Sequence, residues 1–299
     1  MITPPYLKKG NTVAITCPAK KLPHDLSVAV KLFESWGLKV LLGETVQASY
    51  HQFAGNDELR AKDLQRFLDD DSVKAIFAAR GGYGTIRIID DIDFSAFQKN
   101  PKWIIGFSDI TVLHSHIYAN YKIASIHGQM PLTIPDGTKN SLETLRKALF
   151  NEPLEYNFPS TGQNICGETE GILIGGNLML LVMMGCSVSD MNYDDKILFI
   201  EDVGEYLYAV DRLMWNLKRA GKLHKLRGLI VGSFTDLKDN TVPYGQTAEE
   251  IILQHVNEYG FPVCFNFPAG HIEDNRALIL GKTVNLLVDK RTVHLNYKD

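Results

Sequence analysis

Apolar positions in the first third of the chain switch repeatedly between a short β-type run and a helical period. Residues 12–19 (TVAITCPA) form a β-rich run, and Leu26, Ala29, Val30, Phe33 and Trp36 then share one helical face until Gly37 stops it. LKVLLG (38–43) is the next strand, 57–69 is an amphipathic helix, and VKAIFAA (73–79) and the WIIGF run from Trp103 are further strands. This alternation predicts a parallel, doubly wound α/β sheet, in which ligands sit beyond the carboxyl ends of the strands.

The pattern loosens after about residue 131. TIPDGTKN is turn-rich, 141–150 reads as a short helix, and NEPLEYNFPSTGQN keeps no period. The expected division is an N-terminal α/β domain over 1–133, a linker over 134–166 and a smaller β-rich domain over 167–299. The last part begins with strand-like GILIGGNL and continues through ILFIED (197–202), a helix over 206–220, GLIVGSF (228–234), a helix near 247–258 and VCFNFPAGH (263–271). LILG, VNLLVD and TVHLNY close the chain with connections short enough for antiparallel pairing. No internal repeat or low-complexity tract is present.

Composition narrows the class. The 299 residues are 45% hydrophobic and 22% charged, enough for one large domain or two modest ones. Lys plus Arg number 31 against 35 Asp plus Glu, and a net charge of −4 gives no field for a polyanion, which argues against nucleic acid as a partner. The opening MITPPYLKKGNTVAITCPA lacks the unbroken apolar core of a signal peptide, so the cytoplasm is expected, and no apolar run approaches a membrane span. Cys17, Cys166, Cys186 and Cys264 are far apart with no Cys-x-x-Cys pair; this argues against zinc or a disulfide framework and predicts four buried small hydrophobes. No cofactor or metal is expected.

Candidate chemistry centres on Trp103 to Thr111, where an apolar strand runs through Gly106-Phe107-Ser108 into a helical pattern with Ile110, Leu113 and Ile117 on one face. A serine at such a turn is lifted above the sheet edge, and the amides of the new helix point at whatever it attacks. Ile110 stands where a G-x-S-x-G elbow has its second glycine, which disfavours an ordinary α/β-hydrolase. A second loop, Ala79-Arg80-Gly81-Gly82-Tyr83-Gly84, follows another strand; it lacks the spacing of a dinucleotide loop, and its bare glycines suit the approach of backbone amides to an oxyanion.

A serine needs a base, and the base needs an orienting group. Glu201 and Asp202 leave the core at the end of one strand, and His271 follows another apolar run. His114 and His116 resemble a metal pair, but residues two apart on a helix diverge, so one is read as surface and one as packing. Asp109 is read as a first-turn carboxylate favoured by the helix dipole, and Glu273 and Asp274 as solvated turn residues.

Together GFSDIT, ARGGYG, GGNL (175–178), EDVGEYLYAVDRLMWNL and PAGH followed by N-x-x-L resemble, in order, the LD-carboxypeptidase family. Its serine peptidases include muramoyl-tetrapeptide carboxypeptidase and the microcin C immunity peptidase. The resemblance runs from the first strand to about residue 281. It implies a Rossmann-like N-terminal domain carrying the nucleophile Ser108, and a β-rich C-terminal domain carrying the acid Glu201 and the base His271. It further implies an oxyanion hole from the backbone N–H groups of Gly82 and Asp109.

The implied activity is removal of terminal D-alanine from cytoplasmic murein tetrapeptide during peptidoglycan recycling, commonly by a homodimer. Phe107 stands where the family often has Tyr. Ile272 follows the base where a small residue is common, a change that bears on substrate preference. Arg80, beside the glycine loop, is the candidate for holding the substrate's free carboxylate. Two alternatives compete: an immunity-type peptidase acting on a peptidyl-nucleotide antibiotic, whose members tend to be longer, and a non-catalytic peptide-binding protein, against which the three retained residues argue. Ser108 in place of cysteine excludes glutamine amidotransferase chemistry.

Overall fold

The structure, a computed structural model, describes residues 1–298. Its elements in chain order are β1 (Thr12–Thr16), α1 (Ser27–Ser35), β2 (Lys39–Leu42), α2 (Asp57–Asp69), β3 (Val73–Ala78), α3 (Ser95–Lys99), β4 (Trp103–Gly106), α4 (Thr111–Tyr121), β5 (Ser125–His127) and α5 (Lys139–Phe150). There follow β6 (Glu155–Pro159), β7 (Gly167–Asn177), α6 (Leu178–Met183), β8 (Lys196–Val203), α7 (Leu207–Arg219), β9 (Gly228–Thr235), α8 (Ala248–Val256), β10 (Val263–Cys264), β11 (Leu278–Leu280), β12 (Thr283–Val288) and β13 (Thr292–Tyr297). Helix starts follow local chemistry: Asn56 caps α2 by accepting from the Leu59 amide at 2.9 Å, and Thr247 and Glu250 close a reciprocal capping box on α8.

The first sheet has the order β11-β5-β4-β3-β1-β2, with β1 to β5 parallel and β11 antiparallel on the β5 edge. The order in which strands are added reverses between β1 and β3, the switch point at whose carboxyl edge such sheets bind ligands. The loops after β1, β3 and β4 all open there. The second sheet, β10-β9-β8-β7-β12-β13-β6, is parallel from β10 to β7 and antiparallel beyond, with α6, α7 and α8 in its connections. One apolar core runs through both sheets, from Phe77, Trp103 and Ile105 to Phe199, Ile230 and Phe267.

Several expectations are corrected. The stretch 134–166 contains, beyond the expected helix (α5), the strand β6, which is the edge strand of the second sheet, paired with β13. LILG does not pair with its sequence neighbours; as β11 it crosses to β5, and the Ile279 amide donates to Tyr297 Oη at 2.7 Å. Helix α4 is buried on all sides from Thr111 to Tyr118, because the second sheet and α6 cover the face the first sheet leaves open. Both His114 and His116 are therefore internal: His114 Nε2 donates to the Gly106 carbonyl at 2.9 Å, and His116 Nδ1 lies 2.9 Å from Ser189 Oγ. Of the cysteines only Cys17 and Cys264 are buried; Cys166 and Cys186 are exposed. Asp274 is not simply solvated: it accepts from Thr138 Oγ1 at 2.6 Å and pairs with Arg276 at 2.8 Å. No helix among the described residues is long and apolar enough to cross a membrane.

Candidate active site

Ser108 follows β4 with φ +62°, a left-handed conformation that costs a non-glycine residue about 1–3 kcal/mol and is held here by what surrounds it. Gly106 lets the turn close: a Cβ there would meet Ile110 at 2.8 Å. Gly81, after β3, abuts the serine. A Cβ on it would lie 3.0 Å from Ser108 Cβ, 3.3 Å from Oγ and 3.4 Å from the Asp109 amide nitrogen. The two loops thus face each other, as their strand positions predict. The Asp109 side chain ties them together, Oδ2 accepting from the Thr85 amide at 2.9 Å. Burial pushes this carboxyl above the usual range, against the lowering influence of the Thr85 and Gly84 amides and of Arg60. It is a structural brace rather than an acid poised for substrate.

His271 does not come straight off a strand, since β10 ends at Cys264 and an irregular segment follows. Asn275 Oδ1 fixes that segment, accepting from the Gly270 amide at 2.9 Å and lying 3.2 Å from His127 Nε2. The His271 ring is thereby presented to both partners: Nε2 lies 3.0 Å from Ser108 Oγ, and Nδ1 lies 2.6 Å from Glu201 Oε2. Glu201 is fully buried and His271 is one-fifth exposed at its side chain. Burial by itself lowers the imidazole, but the Glu201 hydrogen bond and charge, helped by Asp202 and Asp236, outweigh it and hold the group above its ordinary value. Phe107 packs edge-on against the ring at 5.0 Å. His114 and His127, wholly buried nearby, are pushed down to about 4 and about 3, foremost by burial, and stay neutral.

The two halves of the site are joined by GGNL. The Asn177 amide donates to Thr111 Oγ1 at 3.0 Å, and Asn177 Nδ2 donates to Asp202 Oδ1 at 2.9 Å. A Cβ on Gly176 would reach within 2.5 Å of Thr111 Oγ1, so close approach of β7 to the start of α4 requires glycine. Asp202 also accepts from the Met179 amide at 2.9 Å; burial, then the neighbouring Glu201 charge, pushes it up to about 6. Of the adjacent pair, Glu201 therefore reaches the histidine and Asp202 pins α6.

A pocket of about 350 Å³ opens beside His271, lined by Phe107, Gln129, Thr133 and Ile272, with the acidic residues Asp136 and Glu273 also in its wall. Ile272 is thus part of the pocket wall. Arg80 points elsewhere: Nη1 donates to the Lys21 carbonyl at 2.6 Å. Sequence reasoning passed over His127, and quoted Thr111, Gly81, Asn275 and Gly176 only within motifs. No group of three or more His, Cys, Asp or Glu among the described residues could hold a metal ion.

A two-sheet α/β scaffold that sets a strained serine against an imidazole, and that imidazole against a buried carboxylate, defines a serine hydrolase. Residues 13–128 match the model of the LD-carboxypeptidase N-terminal domain and residues 170–286 that of its C-terminal domain. The chain belongs to the LD-carboxypeptidase family and is a serine-type carboxypeptidase. A protein of Bacillus subtilis described as a probable murein peptide carboxypeptidase is 34% identical over 301 residues, covering 97% of this chain and 92% of the relative. The murein tetrapeptide carboxypeptidase of Pseudomonas aeruginosa is 31% identical over 288 residues, 92% of each chain. Among solved structures, the muramoyltetrapeptide carboxypeptidase of Oxalobacter formigenes superposes with TM-score 0.87 at 27% identity, over 96% of this chain and 99% of that one. An MccF-like protein of Bacillus anthracis shares the fold, with TM-score 0.86 at 20% identity over the whole of both chains.

Proposed function

We propose that this enzyme removes the terminal D-alanine from murein tetrapeptide by acyl transfer through Ser108, His271 and Glu201. His271 Nε2 takes the Ser108 proton and Oγ attacks the carbonyl before the terminal residue. The oxyanion rests on the Gly82 and Asp109 amides. The imidazolium, stabilised by Glu201, then gives its proton to the leaving amine. Water, activated by the same imidazole, releases the acyl group from Ser108. One observation carries the reading: the 3.0 Å and 2.6 Å contacts of His271, which join a serine from the first sheet to a carboxylate from the second. Oxyanion donors contribute about 3 kcal/mol each, and the three side chains act as a unit, so loss of Ser108 removes most activity. Murein peptide processing is supported by the names of the relatives. The setting implied by the resemblance, a cytoplasmic homodimer in peptidoglycan recycling, belongs to the same proposal.

The test is mass spectrometry of purified protein incubated with free murein tetrapeptide, alongside Ser108→Ala and a pentapeptide control. D-Alanine released from the tetrapeptide alone, and not by the variant, is the expected result. An intact tetrapeptide overturns the murein assignment and directs the search to peptidyl-nucleotides.

A further inference from the structure

A carboxypeptidase must recognise a free carboxylate one residue beyond the bond it cuts, which calls for a fixed positive charge close to the nucleophile. Arg80 gives one N–H to the Lys21 carbonyl, which holds its guanidinium toward the loop after β1. The pocket beside His271 is unsuitable, because apart from the histidine its charged groups are Asp136 and Glu273, which repel a carboxylate.

Lys20 is placed differently. It lies in the loop after β1, at the switch point of the first sheet, and its stem runs across the glycine loop: a Cβ on Gly82 would sit 2.5 Å from Lys20 Cδ, 2.8 Å from Cγ and 3.1 Å from Cε. Gly82 is followed back to Gly81, which touches Ser108. None of the ion pairs among the described residues involves Lys20. Neighbouring Lys21, by contrast, donates to Ser49 Oγ at 3.1 Å and is exposed.

We propose that Lys20 is the specificity residue that binds the terminal carboxylate of the substrate, its stem seated on Gly82 so that the ammonium stands on the glycine-loop side of Ser108. Two features follow. Gly82 is bare for the lysine as well as for the oxyanion, and the substrate lies with its carboxylate toward Lys20 and away from the Asp136/Glu273 pocket. A lysine suits the task, since it offers a mobile point charge on a long stem that can follow the carboxylate as the leaving amino acid departs.

This assignment rests on the proposed carboxypeptidase reaction, and its test separates the two. Steady-state cleavage of murein tetrapeptide is compared with that of its C-terminal carboxamide, by mass spectrometry of the released amino acid or amino-acid amide, for wild type, Lys20→Met, Lys20→Arg and Lys21→Met. The wild type is expected to prefer the free acid. Lys20→Met should lose roughly 10- to 100-fold in kcat/KM on the acid, chiefly through KM, and change little on the amide, so that the preference collapses. Lys20→Arg should keep part of the preference and Lys21→Met all of it. A Lys20→Met enzyme that still prefers the acid as strongly as wild type overturns the assignment while leaving the reaction in place, as does a wild type that cleaves both equally. A wild type that cleaves neither overturns the proposed reaction, and the role of Lys20 with it.

Discussion

Alanine at position 270 puts a methyl group inside the hydrogen-bonded constellation. The new Cβ would lie 2.3 Å from Ser233 Oγ, 2.9 Å from Glu201 Cβ and 3.0 Å from Glu201 Oε2. The first contact is about 1 Å short of van der Waals distance, and a serine hydroxyl can rotate out of the way. The other two are not so easily relieved, because Glu201 is fully buried on β8 and its Oε2 is the atom that meets His271. Residue 270 also has φ +119°, where a side chain adds about 1–3 kcal/mol of strain. The expected compromise moves Glu201 and the His271 loop apart by several tenths of an ångström to about 1 Å, and a misplacement of about 1 Å costs roughly 100-fold in rate.

Gly270→Ala is therefore expected to lower kcat about 100-fold with KM nearly unchanged. Its melting temperature should fall by roughly 5 °C, at the usual 2–4 °C per kcal/mol for a chain of this order. Ser233→Gly in the same chain removes the 2.3 Å contact but leaves the other two and the strain, so it should restore no more than about 10-fold. The assay is tetrapeptide turnover with calorimetry on the same samples. A folded Gly270→Ala enzyme with kcat within threefold of wild type would refute the reasoning, since it would mean that Glu201 and His271 tolerate displacement.

Further outcomes follow from the same geometry. His271 must be neutral to act as base and is held above its ordinary value of 6.5, so kcat/KM should fall on an acidic limb centred above pH 6.5, and Glu201→Gln should move that limb to lower pH. The ion pair's contribution to stability is present below pH 6.5 and fades as pH rises through the folded value, which the melting difference between wild type and His271→Gln should track. His114 and His127 carry the opposite sign: held down to about 4 and about 3, they bind protons only on unfolding, so stability falls as pH drops from 6.5 toward 4, and His127→Gln should flatten the decline in a melting series. Thr111→Val strips the acceptor from the Asn177 amide and should cost about 1–3 kcal/mol in denaturant unfolding, with Thr111→Ser close to wild type.

What the sequence disclosed is what its periods encode. Strands buried on both faces, such as β4 and β8, read as unbroken apolar runs, which is why Ser108 after the first and Glu201 near the end of the second could be picked out, whereas His271 sits in an irregular segment beyond β10 and stood out by its motif. β6 escaped because Glu155-Tyr156-Asn157-Phe158-Pro159 alternates for only five residues among prolines and polar positions, and only β13 makes it a strand. β11 was assigned to the wrong neighbour because short connections favour hairpins unless a distant edge competes, and the β5 edge does. The depth of His114 and His116 could not be read from α4 alone, since its second buried face exists only once α6 and β7 arrive. The seat of Lys20 on Gly82 is invisible in one dimension: nothing in their neighbours along the chain tells which lysine lies on which glycine.

The central claim is that Ser108 is the nucleophile and that His271 activates it. Labelling purified protein with a fluorophosphonate and mapping the adduct by peptide mass spectrometry tests this directly. The account predicts one adduct, on Ser108, abolished in His271→Ala and strongly slowed in Glu201→Gln. An adduct on another serine, or labelling of Ser108 at the wild-type rate without His271, would contradict it.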